Sequence, residues 1–288
     1  MHDVILVAGD EVAPAELHAT FVGAFSDYLI GPFQTTLAQW PAFLGRQAVD
    51  LAESRVALRD GRPVAFALAS VRPAVRRWRL AVMGALPDAR GSGAARALLD
   101  DFVVRAGAQG LPEVELECFA QNARALKFYQ GRGFAAVREL RGWNQPADAS
   151  RRASAREPAP EPRVVDRDAA FEWLADVEGR IADVPLQVTP SSLSAAVRPL
   201  TCWRLGSAQI VFSVVDGTPT QVHSLVDTDP AQRDAQVLLR RLRAVHAADE
   251  IVIPALQRDD LGGDAARREG FAPQVLHQVL MVRALEKP

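Results

Sequence analysis

Two cysteines, Cys118 and Cys202, are the only thiols in the chain, and they stand far apart in sequence. Such scarcity excludes a disulfide framework and leaves too few ligands for a structural zinc site, so both are expected to be reduced. Lysine is almost missing: Lys127 and Lys287 are the only ones, and arginine supplies the remaining long cations, which reads as composition rather than mechanism. No apolar run approaches the roughly 20 residues that a membrane-spanning helix needs. The opening residues, Met1 to Asp10, place no basic segment before a long apolar stretch, so they read as a short edge strand rather than a secretory signal. The cytoplasm is the expected location. The five histidines, at 2, 18, 223, 246 and 277, show no ligand spacing, and no metal is expected. A net charge of -2 without a clustered basic face gives no electrostatic footprint for nucleic acid, so neither nucleic acid nor a membrane is an expected partner.

What is present is an ordinary globular composition, 49% hydrophobic and 24% charged, over 288 residues, a length that suits two domains. The clearest break is the stretch 146–162, where Pro146, Ala147 and Asp148 lead into Glu157-Pro158-Ala159-Pro160-Glu161-Pro162 without apolar periodicity. Alternating proline favours extended geometry, so this reads as a semi-rigid linker between domains at 1–145 and 163–288.

In the first half the spacing predicts helices over 14–28 and 35–49, a hairpin over 54–59 and 64–71 around Asp60-Gly61, and a strand over 77–86. A helix over 94–108, a strand over 114–119, a helix over 122–130 and a closing strand over 134–143 follow. The pattern is α+β with a mixed sheet. The second half repeats it more faintly, with helices at 168–180, 231–247 and 264–269 and strands at 202–205, 209–215, 221–226, 250–253 and 271–282. Arg132-Gly133-Phe134 and Glu269-Gly270-Phe271 each join a helix to a final strand through glycine. A tandem duplication is inferred.

The stretch Leu86-Pro87-Asp88-Ala89-Arg90-Gly91-Ser92-Gly93-Ala94-Ala95 is a strand end, a glycine-rich turn and a helix start. Small residues let the backbone curl against an anion, and the first helical N–H groups point into the turn, so it reads as a pyrophosphate cradle. It is not a Walker loop, because no Gly-Lys-Ser/Thr follows, and Arg96 breaks the dinucleotide fingerprint. The competing reading is a tight turn that binds nothing.

Leu-Pro-x-x-Arg-Gly-x-Gly-x-Ala, followed by Gln121-Asn122-x-x-Ala125-x-x-Phe128-Tyr129-x-x-x-Gly133-Phe134, resembles the GNAT family of acetyl-CoA-dependent N-acetyltransferases. The resemblance covers roughly residues 16–143 and implies tandem GNAT-like domains, each a mixed, mostly antiparallel sheet flanked by helices. It implies acetyl-CoA as acetyl donor, with its pyrophosphate on the backbone of Arg90, Gly91, Ser92, Gly93, Ala94 and Ala95. It also implies that Ala85 and Leu86 hydrogen-bond the pantetheine and acetyl carbonyl and that Asn122 contacts the cofactor. Tyr129 would be the general acid, against the plainer reading of a core aromatic beside Phe128. Glu117 would be the base; otherwise Glu113, Glu115 and Glu117 form a solvated acidic strand face. Asp27 and Tyr28 would face the acceptor. Cys118 reads as packing rather than a nucleophile.

The second half has Asp227, Asp229 and Asp234 and no glycine where the loop should recur, and its counterpart of the Asn-to-Tyr helix carries Arg267 and Arg268 but no tyrosine. It reads as a degenerate copy without acetyl-CoA binding, against the alternative of a different ligand. The expected reaction is direct acetyl transfer to a primary amine on a small molecule or peptide. A non-catalytic acyl-CoA-binding or interaction module is the alternative, and the acceptor and a homodimer stay open.

Overall fold

A computed structural model describes residues 4–148 and 160–286. Of the predicted linker, residues 149–159 lie outside the described residues. The chain forms two compact units: Met1–Glu117 with Asn122–Ala135 and Met281–Pro288, and Cys118–Gln121 with Ala136–Leu280. Each unit thus includes a segment from the other half of the sequence.

The first unit holds β1 (Ile5–Ala8), α1 (Pro14–Ala24), α2 (Trp40–Arg46), β2 (Asp50–Arg59), β3 (Arg62–Arg72), β4 (Arg77–Ala85), α3 (Ala94–Ala108), most of β5 (Glu113–Phe119), and α4 (Ala123–Gln130). Its strands lie in numerical order, antiparallel except for the parallel pair β4 and β5. Pro14 opens α1 in the first turn, where its missing N–H leaves nothing unpaired, and Leu17, Phe21 and Ala24 recur at helical spacing on the buried side. The ring of Phe21 sits 4.8 Å from Trp40 and 5.0 Å from Phe43 by centroid, making an aromatic core on one sheet face. α3 covers the other face, with Phe102 5.8 Å from Trp78. Covered on both sides, β3 is buried from Val64 to Ser70 without interruption.

The predicted helix over 35–49 is shorter, a 3-10 turn at Leu37–Gln39 followed by α2, because Pro41 is tolerated only in a first turn. Asp60 and Gly61, with φ of +51° and +75°, make the two-residue hairpin turn.

The glutamates of β5 do not form a solvated face. Glu115 is fully buried and accepts from Arg72 and, at 3.1 Å, from Nη1 of Arg77. Glu113 accepts from Nε of Arg77 at 2.8 Å, and Glu117 from Nε of Arg79 at 2.7 Å. Charges persist in an interior only when paired and hydrogen-bonded, and this ladder ties β5 to β4 and β3.

The second unit holds most of β6 (Ala135–Gln145), then β7 (Arg163–Val165), α5 (Arg167–Arg180), α6 (Pro190–Leu193), β8 (Thr201–Leu205), β9 (Ala208–Ser213), β10 (Thr220–Asp227), α7 (Arg233–Val245), β11 (Ile251–Gln257), α8 (Gly263–Arg268), β12 (Ala272–Pro273) and the start of β13 (Gln278–Ala284). Its strand order is β6-β11-β10-β9-β8-β7, with β12 also on β6, and β10 and β11 form the parallel pair. The last strand expected over 271–282 is broken into β12 and β13. Leu238, Leu239 and Leu242 of α7 pack on Ile210, Phe212 and Val222. Among the described residues no helix is long and apolar enough to cross a membrane.

The ladder predicts that Glu115→Ala lowers stability by about 3–5 kcal/mol, the usual cost of breaking a buried ion pair, as read by urea denaturation.

Candidate active site

β4 and β5 pair only from Arg77 with Glu113 to Leu80 with Leu116. Past that point the register of β4 on β3 slips by one residue at Ala81, because Leu68 faces Val82 while Ala69 faces Leu80. Such a bulge bends and twists its strand. β4 then runs on to Ala85 paired to β3 alone, and a cleft of about 420 Å³ lies beside its end, lined from α1 and its exit by Ala24, Phe25, Asp27, Tyr28 and Leu29, from β4 by Met83, Gly84 and Ala85, from the glycine-rich segment by Arg90 and Ala95, and from α4 by Asn122, Arg124, Ala125, Phe128 and Tyr129. Gly84 allows the helix to come this close: a Cβ there would lie 2.9 Å from Phe66 Cζ and 3.0 Å from Ala24 Cβ.

After β4, a 3-10 turn at Pro87–Ala89 leads into the loop. Gly91 and Gly93 have φ of +80° and +97°, and no atom stands within 4 Å of where a Cβ would be, so the loop face is open. Ser92 Oγ donates to the Ala89 carbonyl at 2.7 Å and fixes the curl. Gly93 caps α3, whose first N–H groups have no acceptor in the helix itself. The arrangement offers amides and the positive end of a helix dipole to an anion.

The side chain of Arg90 does what the sequence reading did not foresee. Its guanidinium grips Asp27 with two hydrogen bonds, 2.5 Å to Oδ2 and 2.6 Å to Oδ1, and reaches the Ala24 carbonyl at 3.1 Å and that of Ala85 at 3.4 Å. These bonds hold the Asp27 carboxyl below its ordinary value, first through the Arg90 hydrogen bonds, and the Arg90 guanidinium above its own. The loop is thereby tied to the segment after α1.

α4 begins at Asn122, whose Oδ1 accepts from the Ala125 amide at 3.1 Å, so this residue is a helix cap as well as a cleft wall. Tyr129 is buried, edge-on to Phe128 and Phe134 at 5.5 and 5.9 Å. The structure thus brings Ala85, Arg90, Ala95, Asn122 and Tyr129 to one cleft, with Asp27 and Tyr28. Gly91, Ser92, Gly93 and Ala94 form the adjoining loop and do not line it. Leu86 is not among the lining residues, and its amide donates to the Val64 carbonyl of β3 at 2.9 Å. Glu117 is also off the cleft wall, its side chain 2% exposed and bound to Arg79, though its Oε1 has no hydrogen-bond partner. Ala24, Phe25, Leu29, Met83, Gly84 and Arg124 are cleft residues that the sequence reading did not single out; the glycine inside a strand was the one available signal.

The corresponding place in the second unit is built differently. β10 and β11 pair only at Thr220 with Ile251 and Gln221 with Val252, and β10 is irregular after Val222. At the end of β10, the fully buried Asp227 carboxylate accepts from the Ala235 amide in the first turn of α7 at 3.0 Å, from the Asp229 amide at 2.9 Å and from Ser207 Oγ at 2.8 Å. Gln232 takes the left-handed conformation before α7, and its side chain bridges the Ala265 amide and the Asp259 carbonyl.

Residues 18–134 match the model of the acetyltransferase (GNAT) family. In fold, the chain is similar to a GCN5-related N-acetyltransferase from Sphaerobacter thermophilus, at TM-score 0.64 and 16% identity over 98% of this chain and 95% of that one. It is similar also to a putative acetyltransferase from Pyrococcus horikoshii, at TM-score 0.63 and 13% identity over 99% and 91%, and to a GCN5-related N-acetyltransferase from Kribbella flavida, at 0.62 and 16% over 99% and 73%. No curated protein matches in sequence.

Burial pushes the Cys118 thiol up to about 11. Because desolvation penalises the thiolate, alkylation of Cys118 by iodoacetamide in the folded protein should be negligible near neutral pH and rise only as the pH nears that value. Labelling followed by peptide mass spectrometry reads this.

Proposed function

We propose that this acyltransferase, whose residues 18–134 belong to the acetyltransferase (GNAT) family, moves an acetyl group from acetyl-CoA to a primary amine by direct transfer in the cleft of its first unit. The observation that carries the reading is the open glycine loop at the head of α3 beside the parted end of β4, flanked by Arg90 and Ala95, which line one cleft with Tyr129. Gly91 and Gly93 leave room for a pyrophosphate against the backbone of Arg90 to Ala95, and Ala85 presents its strand end to the cleft while Asn122 closes the far side.

In this reading the amine nitrogen attacks the acetyl carbon, the carbon–sulfur bond breaks, and the departing thiolate takes the Tyr129 hydroxyl proton. A phenol is ordinarily protonated at neutral pH and donates as charge grows on sulfur. The amine must also lose a proton. Glu117, with its Oε1 still able to accept, or a water chain serves as base, and the position of Glu117 off the cleft wall favours transfer through water. Asp27, held ionised by Arg90, and Tyr28 face the acceptor.

The second unit is read as a degenerate copy. Its own Asp227 carboxylate holds the α7 amide that a bound anion would take, so acetyl-CoA is not bound there.

Isothermal titration of acetyl-CoA is expected to show one site per chain, lost in Gly93→Trp, whose side chain would fill the cradle at a positive φ. Absence of binding to the unaltered protein would overturn the reading, and binding without turnover on a broad amine panel would leave an acyl-CoA-binding module. Tyr129→Phe should keep acetyl-CoA affinity and lower turnover about a hundredfold, measured as thiol release.

A further inference from the structure

Arg283 of β13 reaches the turn that follows the helix carrying Tyr129. Within the first unit, Nη1 of Arg283 donates to the Arg132 carbonyl at 2.8 Å, across 151 positions of sequence. That carbonyl lies just past α4, where helix carbonyls concentrate negative charge and a cation is favoured. A second contact supports the first: at Gly133, with φ of +79°, a Cβ would stand 3.7 Å from Cδ and Nε of Arg283, so the arginine stem lies along this turn. Two residues further on, the Leu285 amide donates to the Pro112 carbonyl at 2.8 Å and anchors the same segment.

The turn held by Arg283 is coupled to the cleft at short range. The Tyr129 carbonyl accepts from the amides of Arg132 and Phe134, at 2.9 and 3.2 Å. The Arg132 guanidinium lies 4.1 Å from the centre of the Phe128 ring, and Phe128 and Tyr129 both line the cleft. We propose that Arg283 is a positioning residue: it fixes the turn after α4 and so sets where the Tyr129 and Phe128 side chains stand. The catalytic meaning of that placement rests on the reaction assigned above, but the placement itself can be tested without turnover.

Tyr28 and Tyr129 are the only tyrosines. Fluorotyrosine labelling therefore gives two fluorine resonances, assigned with Tyr28→Phe. In Arg283→Met, which keeps an apolar stem and removes the donor, the Tyr129 resonance should shift or broaden while that of Tyr28 stays in place. Acetyl-CoA affinity, set mainly at the Arg90 to Ala95 loop and at Asn122 on the opposite end of α4, should stay within about twofold. Arg283→Lys, which restores a donor, should return the resonance. An unmoved Tyr129 line in Arg283→Met overturns the proposal, as does equal movement of both lines, which marks general loosening. If acetyl-CoA does not bind the unaltered protein, the assigned reaction fails while the fluorine result still judges Arg283.

Discussion

The point at which β4 parts from β5 governs the first unit. Over Arg77–Leu80 the two strands are held by parallel pairing and by arginine–glutamate bonds in which Glu115 is fully buried. The Arg72–Glu115 and Arg79–Glu117 pairs leave water at a cost that several hydrogen bonds must offset, so the clamp tolerates little displacement. Beyond it, the bulge at Ala81 turns β4 away, and the strand end, the glycine loop and α4 come to border one opening. A clamp followed by a bulge makes the cleft a consequence of strand geometry, with no mobile element required to form it.

The same place in the two units shows two ways of satisfying a helix N-terminus. Unpaired N–H groups at a helix start need an acceptor, and water, a ligand or a side chain can serve. In the first unit, Ser92 Oγ accepts from the Ala94 amide at 3.3 Å, and Gly91 and Gly93 leave open space beside the start of α3. In the second, Asp227 supplies the carboxylate from within and Gln232 bridges to α8. The aspartates there were expected to repel a pyrophosphate; the buried one, Asp227, takes the Ala235 amide.

Arg90 and Arg283 give long-range meaning to residues that look local. Arg90 stands in the loop motif, yet its side chain ties that loop to Asp27, 63 positions earlier. Arg283 lies in the chain's last strand, yet it closes the turn after α4. Both put a guanidinium on carbonyl or carboxylate oxygens at an element's end, where rigid, multi-donor geometry fixes an angle as well as a distance. Because Met281–Pro288 belongs to the first unit, the first half of the sequence does not supply that unit completely.

The sequence by itself determined what near neighbours decide. Glycines at Gly91 and Gly93, Asn122 ahead of α4, Asp60-Gly61 in the hairpin and the apolar stripe of α3 act through dihedral angles and hydrogen bonds spanning a few residues, and they are legible for that reason. The α+β class followed from them, while Asp27, Tyr28, Ala85, Arg90, Ala95, Asn122 and Tyr129 of the cleft came from the family resemblance. Only the tertiary structure decided what depends on chain returning from far away. Glu117 read as a catalytic base or, with Glu113 and Glu115, as a solvated face, and only the fold brought Arg72, Arg77 and Arg79 beside the three. Leu86 read as a cofactor contact, and only the fold showed its amide donating to the Val64 carbonyl of β3. Strand alternation tells which residues share a face, but burial and the partner of a charge depend on what packs against that face, and no local pattern encodes it.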